Sequence, residues 1–327
     1  MILVTGATGF LGTHLLQALL QNQNLPIRAL KRSSSQLDLL GELAHKVDWY
    51  DTDLRDARGV YAAMEGVEQV YHCAAVVSFN PKEAELMKTV NVEGTANVVN
   101  AALEQGIQKM VYVSSIAAIG RSEKSNQVSE KTKWEDSPMN TKYAISKMLA
   151  EREVWRAYAE GLPVVMVNPS VIIGEGTWTS DSSRLFTEVW KGLKFYPVGG
   201  TGYVDVKDVA RAMVLLMDSA IVGERFILNG ANITYLDFFS QVAKHLGKPA
   251  PSIKATAWMA DLAWRLEAVK SFFTRQNPVI TKETARMAQR QYFYESQKIE
   301  NQLDFSFTPM DTSIQRIAKA FLNAHQD

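Results

Sequence analysis

Through the first half of the chain, short apolar runs alternate with longer stretches whose apolar positions recur every three or four residues. Ile2 to Thr5, Pro26 to Leu30, Val47 to Tyr50, Val67 to His72, Met110 to Ser114 and Val164 to Asn168 read as strands, and Phe10 to Gln21 and Thr141 to Glu160 as helices. Strand runs this apolar, separated by helices, predict a parallel sheet covered on both faces, a doubly wound α/β fold. After Asn168 the rhythm gives way to Gly174 to Ser183, a Gly-, Ser- and Thr-rich loop expected near the strand ends. Gly199 to Met217 then predicts a turn, a short strand and a helix, and Arg225 to Leu228 one more strand. From Asn229 onward helical patterns dominate, including Tyr235 to Leu246 and Thr281 to Gln291, and strand alternation is not expected to resume. The pattern therefore predicts one domain from residues 1–168 and 199–228, and a smaller, mostly helical one from 169–198 and 229–327.

Composition narrows the setting. Of 327 residues, 46% are apolar and 21% charged, the balance of an ordinary soluble globular protein. Thirty-five basic residues offset 35 acidic ones, so no long-range field would draw in a nucleic acid, and any anion site must be local. One cysteine, Cys73, excludes an internal disulfide and a multi-cysteine zinc site. Met1 to Val4 runs straight into Thr5-Gly6 and leaves no room for a secretion signal, so the cytoplasm is the expected compartment. No run approaches the roughly 18 apolar residues of a membrane span. His45, His245 and His325 are scattered, with no helical His pair or carboxylate set, and no metal is predicted.

Gly6-Ala7-Thr8-Gly9-Phe10-Leu11-Gly12 follows a strand and opens a helix, the setting that a dinucleotide fingerprint requires. Glycine permits the tight turn and close approach to a pyrophosphate, and the helix amino terminus offers unpaired N–H groups. This marks the first domain as a Rossmann nucleotide-binding domain. About 20 residues past such a fingerprint, NAD enzymes carry an acidic residue on the adenosine ribose. Here Lys31 and Arg32 stand there, with Arg28 just upstream, a set suited to a 2′-phosphate; NADP is predicted, with NAD as the alternative.

Tyr143 and Lys147 lie four apart on a predicted helix and so share a face. A nearby ammonium would lower the phenol from its usual value near 10 and allow proton exchange with a carbonyl or alcohol oxygen. Ser115, at a strand end, could add a second hydrogen bond. The same spacing recurs at Tyr203 with Lys207 and at Tyr294 with Lys298, but neither pair follows the fifth strand and its serines.

Together these residues resemble the extended short-chain dehydrogenase/reductase superfamily, which includes the NAD-dependent epimerase/dehydratase proteins, over nearly the whole chain. The matching pieces, in the family's order, are Thr5 to Gly12, Asp53-Leu54-Arg55-Asp56, His72-Cys73-Ala74-Ala75, Asn91-Val92-Glu93-Gly94-Thr95, Val113-Ser114-Ser115, Tyr143 with Lys147, and Asn168-Pro169-Ser170. The resemblance implies that Gly6, Thr8, Gly9, Phe10, Leu11 and Gly12 cradle the cofactor and that Asp53 and Leu54 flank its adenine. It further implies that Ala74 and Ala75 line it, that Asn91 steadies the central helix, and that Lys147 binds the nicotinamide ribose. Asn168, Pro169, Ser170 and Val171 would face the nicotinamide. Ser115, five residues before Gly120, matches the catalytic serine better than Ser114, which stays open as a substitute. Homodimerisation is also a family expectation.

A looser likeness, carried by Ile27 to Arg32, Gly199 to Asp208 and Tyr292-Phe293-Tyr294, is to dihydroflavonol-4-reductase-like proteins, which reduce carbonyls with NADPH. It implies a small-molecule carbonyl or alcohol substrate held by the second domain. The competing readings are an NAD-dependent nucleotide-sugar epimerase or dehydratase, and a nucleotide-binding redox sensor without catalysis. His72 and His14 are expected in structural or cofactor-lining roles. Trp178 is a candidate in the loop. Ala255 to Phe273, with Trp258, Met259, Leu262, Trp264, Leu266, Phe272 and Phe273, is expected to pack as an amphipathic core helix rather than as a lid or a membrane-surface patch.

Overall fold

The computed structural model describes residues 1–22, 25–120, 125–137, 139–274 and 281–325, with the side chains of 22, 263, 266 and 268–274 outside the description. Seven parallel strands form the main sheet: β1 (Ile2–Thr5), β2 (Ile27–Lys31), β3 (Asp48–Asp51), β4 (Gln69–His72), β5 (Lys109–Val113), β6 (Val164–Pro169) and β7 (Glu224–Leu228). Their spatial order is β7-β6-β5-β4-β1-β2-β3. The chain starts in the middle, runs outward to β3, then returns to β4 and runs the other way. Ligands of such sheets bind in the crevice that this reversal opens at the carboxyl ends of the strands.

Both faces of the sheet are covered, which is why its strands read as continuous apolar runs. On β5, Val111 and Val113 pack on one side with Val4, Leu15, Leu16, Met213 and Phe226. Met110 and Tyr112 pack on the other with Leu3, Val70, Val98, Val154 and Met166. The first side is covered by α1 (Phe10–Asn22) and the second by α2 (Gly94–Glu104) and α3 (Lys142–Ala159); α4 (Val206–Asp218) lies against α1. Thr141 caps α3 by accepting from the Ala144 N–H at 3.0 Å, which fixes where the helix starts and puts Tyr143 in its first turn.

Residues 200–205 do not enter the main sheet. They form the middle of a three-stranded sheet, parallel to Val171–Ile173 and antiparallel to Ala231–Thr234. Against this sheet pack α5 (Tyr235–Leu246) and, further along the chain, Met310–Ala324, around Phe238, Ile317 and Phe321. Strand pairing does resume after Asn229, contrary to the sequence pattern: Ala231–Thr234, Ile253–Ala255 and Phe293–Tyr294 are all paired. With two to four residues each, they are too short to show a period of two.

Two helices depart from expectation. The one predicted at Thr281 to Gln291 stops earlier, at Lys282–Met287, because the chain beyond it pairs with Gly199 and Gly200, whose N–H groups donate to Ala288 and Arg290. The helix Ala257–Thr274 is not the core element expected: Trp258 and Leu262, one turn apart, are 68% and 48% exposed, while the helix packs against Lys282–Met287. The side chains expected at Leu266, Phe272 and Phe273 lie outside the described residues. Among the described residues no helix is long and apolar enough to cross a membrane.

Candidate active site

The fingerprint forms the turn between β1 and α1. Gly6 has φ +67°, and a β-carbon there would sit 2.6 Å from the backbone of Ala74; at Gly12 it would sit 2.1 Å from the Gly6 carbonyl. No other residue fits either place. The turn opens onto a cavity of about 880 Å³ along the carboxyl ends of the strands, lined at this point by Gly6, Thr8, Gly9, Phe10, Leu11 and Gly12.

At one end the cavity is lined by Lys31, Arg32, Ser35, Thr52, Asp53, Leu54 and Arg55. The Lys31 ammonium pairs with Asp51 on the neighbouring strand, and the Arg32 N–H donates to Ser35 at 3.2 Å. Arg55 grips Asp53 with two hydrogen bonds, 2.8 and 2.9 Å, and this grip holds the Asp53 carboxyl down at about 2. Arg28 does not join this group. Three residues before Lys31 on the same strand, it points to the opposite face, where it bonds Asp48 at 2.8 Å and the carbonyls of Ala63 and Glu65.

Cys73, Ala74 and Ala75 form the middle wall. Asn91 is outside the cavity, in a π-helical stretch, Lys88–Glu93. Its amide accepts from the Val76 N–H at 2.7 Å and donates to the Val76 carbonyl at 2.9 Å and to Ser146 of α3 at 3.0 Å. It ties the wall to the central helix.

The two serines after β5 face different ways, as neighbours on an extended chain must. Ser114 donates to Glu151 at 2.5 Å. Ser115 accepts from the Ala117 N–H at 3.1 Å and faces the Tyr143 phenol. Glu151 is buried and takes three further donors: Asn168 at 2.9 Å, Arg225 at 3.0 Å and the Trp155 indole at 3.4 Å. Asn168 also donates to the Ser115 carbonyl at 3.0 Å, so it supports the serine from behind rather than lining the cavity, which Pro169, Ser170 and Val171 do.

One turn along α3 from Tyr143, Lys147 is buried. Its ammonium donates to the Tyr112 hydroxyl at 2.9 Å and to the Val113 carbonyl at 2.8 Å. Burial pulls it down to about 8, against the opposing pull of Glu151 and Cys73. The expected lowering of Tyr143 is not what this arrangement gives. Burial pushes the phenol up and the facing Ser115 hydroxyl works against that, while the ammonium is turned toward the floor of the site. The other two Tyr–Lys pairs lie elsewhere: Tyr203 is buried and stacked on Phe238, and Lys298 is held by Glu224 and the Arg225 carbonyl.

The far end of the cavity is apolar, with Val76, Val77, Phe79, Leu86 and Val90 on one side and Tyr235, Thr284, Met287, Ala288 and Tyr292 on the other. The edge of Phe79 meets the Tyr143 ring at 5.9 Å between centroids. Apart from Tyr292, which lay in a matching motif, sequence reasoning did not single out these residues, because apolar positions on short helices read as core. Arg55 and Ser35 were also missed as lining residues; Arg55 did lie inside a motif that matched. His14 is bonded to the Glu175 carbonyl and His72 lies under the floor, outside the cavity lining; Trp178 packs on Phe321. Among the described residues no cluster of His, Cys, Asp or Glu could hold a metal.

A family model described as "NAD dependent epimerase/dehydratase family" matches residues 2–228. The chain belongs to this family. Sterol demethylase protein B of Methylococcus capsulatus is 32% identical over 293 residues, covering 87% of each chain. Cinnamoyl-CoA reductase 1 of Petunia hybrida is 30% identical over 241 residues, covering 69% of this chain and 71% of the reductase. The solved dTDP-glucose 4,6-dehydratase DesIV of Streptomyces venezuelae, with NAD and TYD bound, has the same fold at a TM-score of 0.80 and 18% identity, covering 99% and 98%. Membership in the family makes this a nicotinamide-dinucleotide-dependent enzyme. The residues fit such a cofactor: the glycine turn leaves room for backbone to approach a pyrophosphate, and the buried Ser170 hydroxyl, on the cavity wall, has no partner among the described residues.

Proposed function

We propose that this family member is an NADPH-dependent reductase of an uncharged, largely apolar aldehyde or ketone, working through Ser115, Tyr143 and Lys147. The observation that carries the reading is that Ser115, Tyr143 and Lys147, from two separate elements, line one cavity whose far end is largely apolar. The reductase among the relatives, cinnamoyl-CoA reductase 1, supports the direction of the chemistry. Residues 1–168 and 199–228 would carry the nucleotide, and 169–198 with 229–327 the substrate.

NADPH, when bound, supplies the hydride that reaches the carbonyl carbon. The protein's part is to place and protonate the oxygen. Ser115 donates a hydrogen bond to it, and Tyr143 gives up its phenolic proton as negative charge builds there. The phenolate left behind regains its proton from solvent, while Lys147, its ammonium turned toward the floor of the site, is assigned to the nicotinamide ribose. The apolar walls exclude water from the reacting oxygen. In the reverse direction the same groups take the proton from an alcohol.

Two features favour this over a nucleotide-sugar epimerase or dehydratase. At the substrate end, Asp181 is the charged residue among the described lining side chains, so a diphosphate would meet no cation there. At the adenosine end, Arg32 lines the cavity where an acceptor for ribose hydroxyls would otherwise stand.

The test is turnover against a panel of aromatic and aliphatic carbonyls, followed at the nicotinamide absorbance band, in wild type and Tyr143→Phe. Loss of a general acid is expected to lower kcat by about 10² to 10⁴-fold while leaving NADPH affinity within about twofold. Full activity in Tyr143→Phe would remove the tyrosine from the mechanism.

A further inference from the structure

Beneath Lys147 lies a line of polar side chains that the mechanism above does not use. Thr5, His72 and Tyr112 stand in register on three adjacent strands, β1, β4 and β5, and Thr95 of α2 closes over them. All four are buried to within 1%. The His72 imidazole bonds Thr5 at 2.6 Å through Nδ1 and Thr95 at 2.9 Å through Nε2. The Tyr112 hydroxyl accepts from Lys147 at 2.9 Å, beside the Thr95 hydroxyl. At the far end the Ala74 N–H, from the cavity wall, donates to the Thr5 hydroxyl at 3.3 Å.

The ammonium fixes the direction of its bond to Tyr112. Lysine can only donate, so the Tyr112 oxygen accepts. Burial holds His72 down at about 3, so the ring stays neutral and relays hydrogen bonds rather than charge. Burying this many polar groups in an apolar layer is costly unless each is satisfied, and phenylalanine at position 112 would fill the same space without that cost.

We propose that Tyr112, backed by Thr95, His72 and Thr5, is the positioning residue for Lys147: it holds the ammonium at a fixed place beneath Tyr143 and ties that place to the cavity wall at Ala74. This rests on the reading that Lys147 serves the nucleotide. Tyr112 itself touches neither.

The charged and titratable groups around the ammonium are Tyr143 and Glu151 on its own helix, Cys73 on the loop after β4, Tyr112 on β5 and His72 on β4. Of these, Tyr112 is the side chain that accepts a hydrogen bond from it. Without that acceptor the charged form loses support and the ammonium gives up its proton at lower pH.

The experiment is the pH dependence of NADPH affinity, by fluorescence titration across the neutral to alkaline range, for wild type, Tyr112→Phe, Thr95→Val and Lys147→Met, with thermal unfolding as the folding control. Wild type should bind well while Lys147 is charged and weaken as pH rises through about 8. Lys147→Met should lack this break. Tyr112→Phe should keep the break but move it about one pH unit lower, a tenfold change in acidity. Thr95→Val should move it the same way by less, and carries the test if Tyr112→Phe does not fold. A folded Tyr112→Phe, or in its place a folded Thr95→Val, with an unmoved break would overturn the positioning role and leave Lys147 in its own. A wild type without a break, with Lys147→Met unchanged in affinity, would overturn the reading of Lys147 and this proposal with it.

Discussion

The two ends of the cavity beyond the glycine turn are held by different forces. At the strand ends, Ser114, Glu151, Asn168 and Arg225 behind Ser115, and Tyr112, Thr95 and His72 beneath Lys147, form buried hydrogen-bond networks with named partners on several elements. At the far end, Val77, Phe79, Leu86, Met287 and Tyr292 meet the cavity through apolar surface. Directional bonds in a dry interior fix position closely and tolerate little, because a group that loses its partner there keeps the cost of its burial. Apolar contact is non-directional and roughly proportional to area, so a wall of this kind accepts changes of shape at small cost. A fold with a rigid polar floor and an apolar roof can keep its chemistry while its substrate changes.

Breaking the floor should have the largest effect. Glu151→Ala removes the acceptor for Ser114, Asn168, Trp155 and Arg225 at once. Arg225 keeps its bonds to the carbonyls of Glu130 and Thr132 but loses its carboxylate, and the protein should be destabilised by about 3 kcal/mol, read as a lower midpoint in thermal or urea unfolding. A loss under about 1 kcal/mol would mean that the network is ornamental. The roof should respond less. Met287→Leu conserves volume, so stability should stay within about 1.5 kcal/mol of wild type. Its effect should fall on selectivity, with relative kcat/KM among carbonyls of different shape shifting by about threefold to tenfold. If Met287→Leu were as destabilising as Glu151→Ala, the contrast between the two ends would fail.

The same contrast explains what the sequence could show. Strands buried on both faces and helices with one apolar stripe leave strong periodic signals, so the main sheet, α1 and α3 were legible to within a few residues. Gly6 and Gly12 were legible because only glycine fits where they stand, and Tyr143 with Lys147 because four residues make one helical turn. Arg28 was misplaced although the signal was present: three residues from Lys31 on a strand is an odd step, and an odd step changes face. Tyr112 was invisible because a tyrosine inside an apolar strand reads as core. The roof was invisible for the opposite reason. Its residues are apolar on short helices and loops, and nothing in their order separates a wall from a core. The helix at Ala257–Thr274 shows this in reverse, since it reads as core yet exposes Trp258 and Leu262.

The account turns on a protein that takes up NADPH and spends its hydride on an added carbonyl. The most direct measurement is a fluorescence titration of purified protein with NADPH and with NADH, followed by addition of carbonyls while the nicotinamide absorbance is recorded. The account predicts that NADPH binds at least about tenfold more tightly than NADH, as one charge-assisted contact to a 2′-phosphate would give, and that it is consumed when a suitable carbonyl is added. Equal or tighter binding of NADH, or NAD that stays with the protein at one per chain without net consumption, would contradict it and point to a cofactor that is reduced and reoxidised within each turnover.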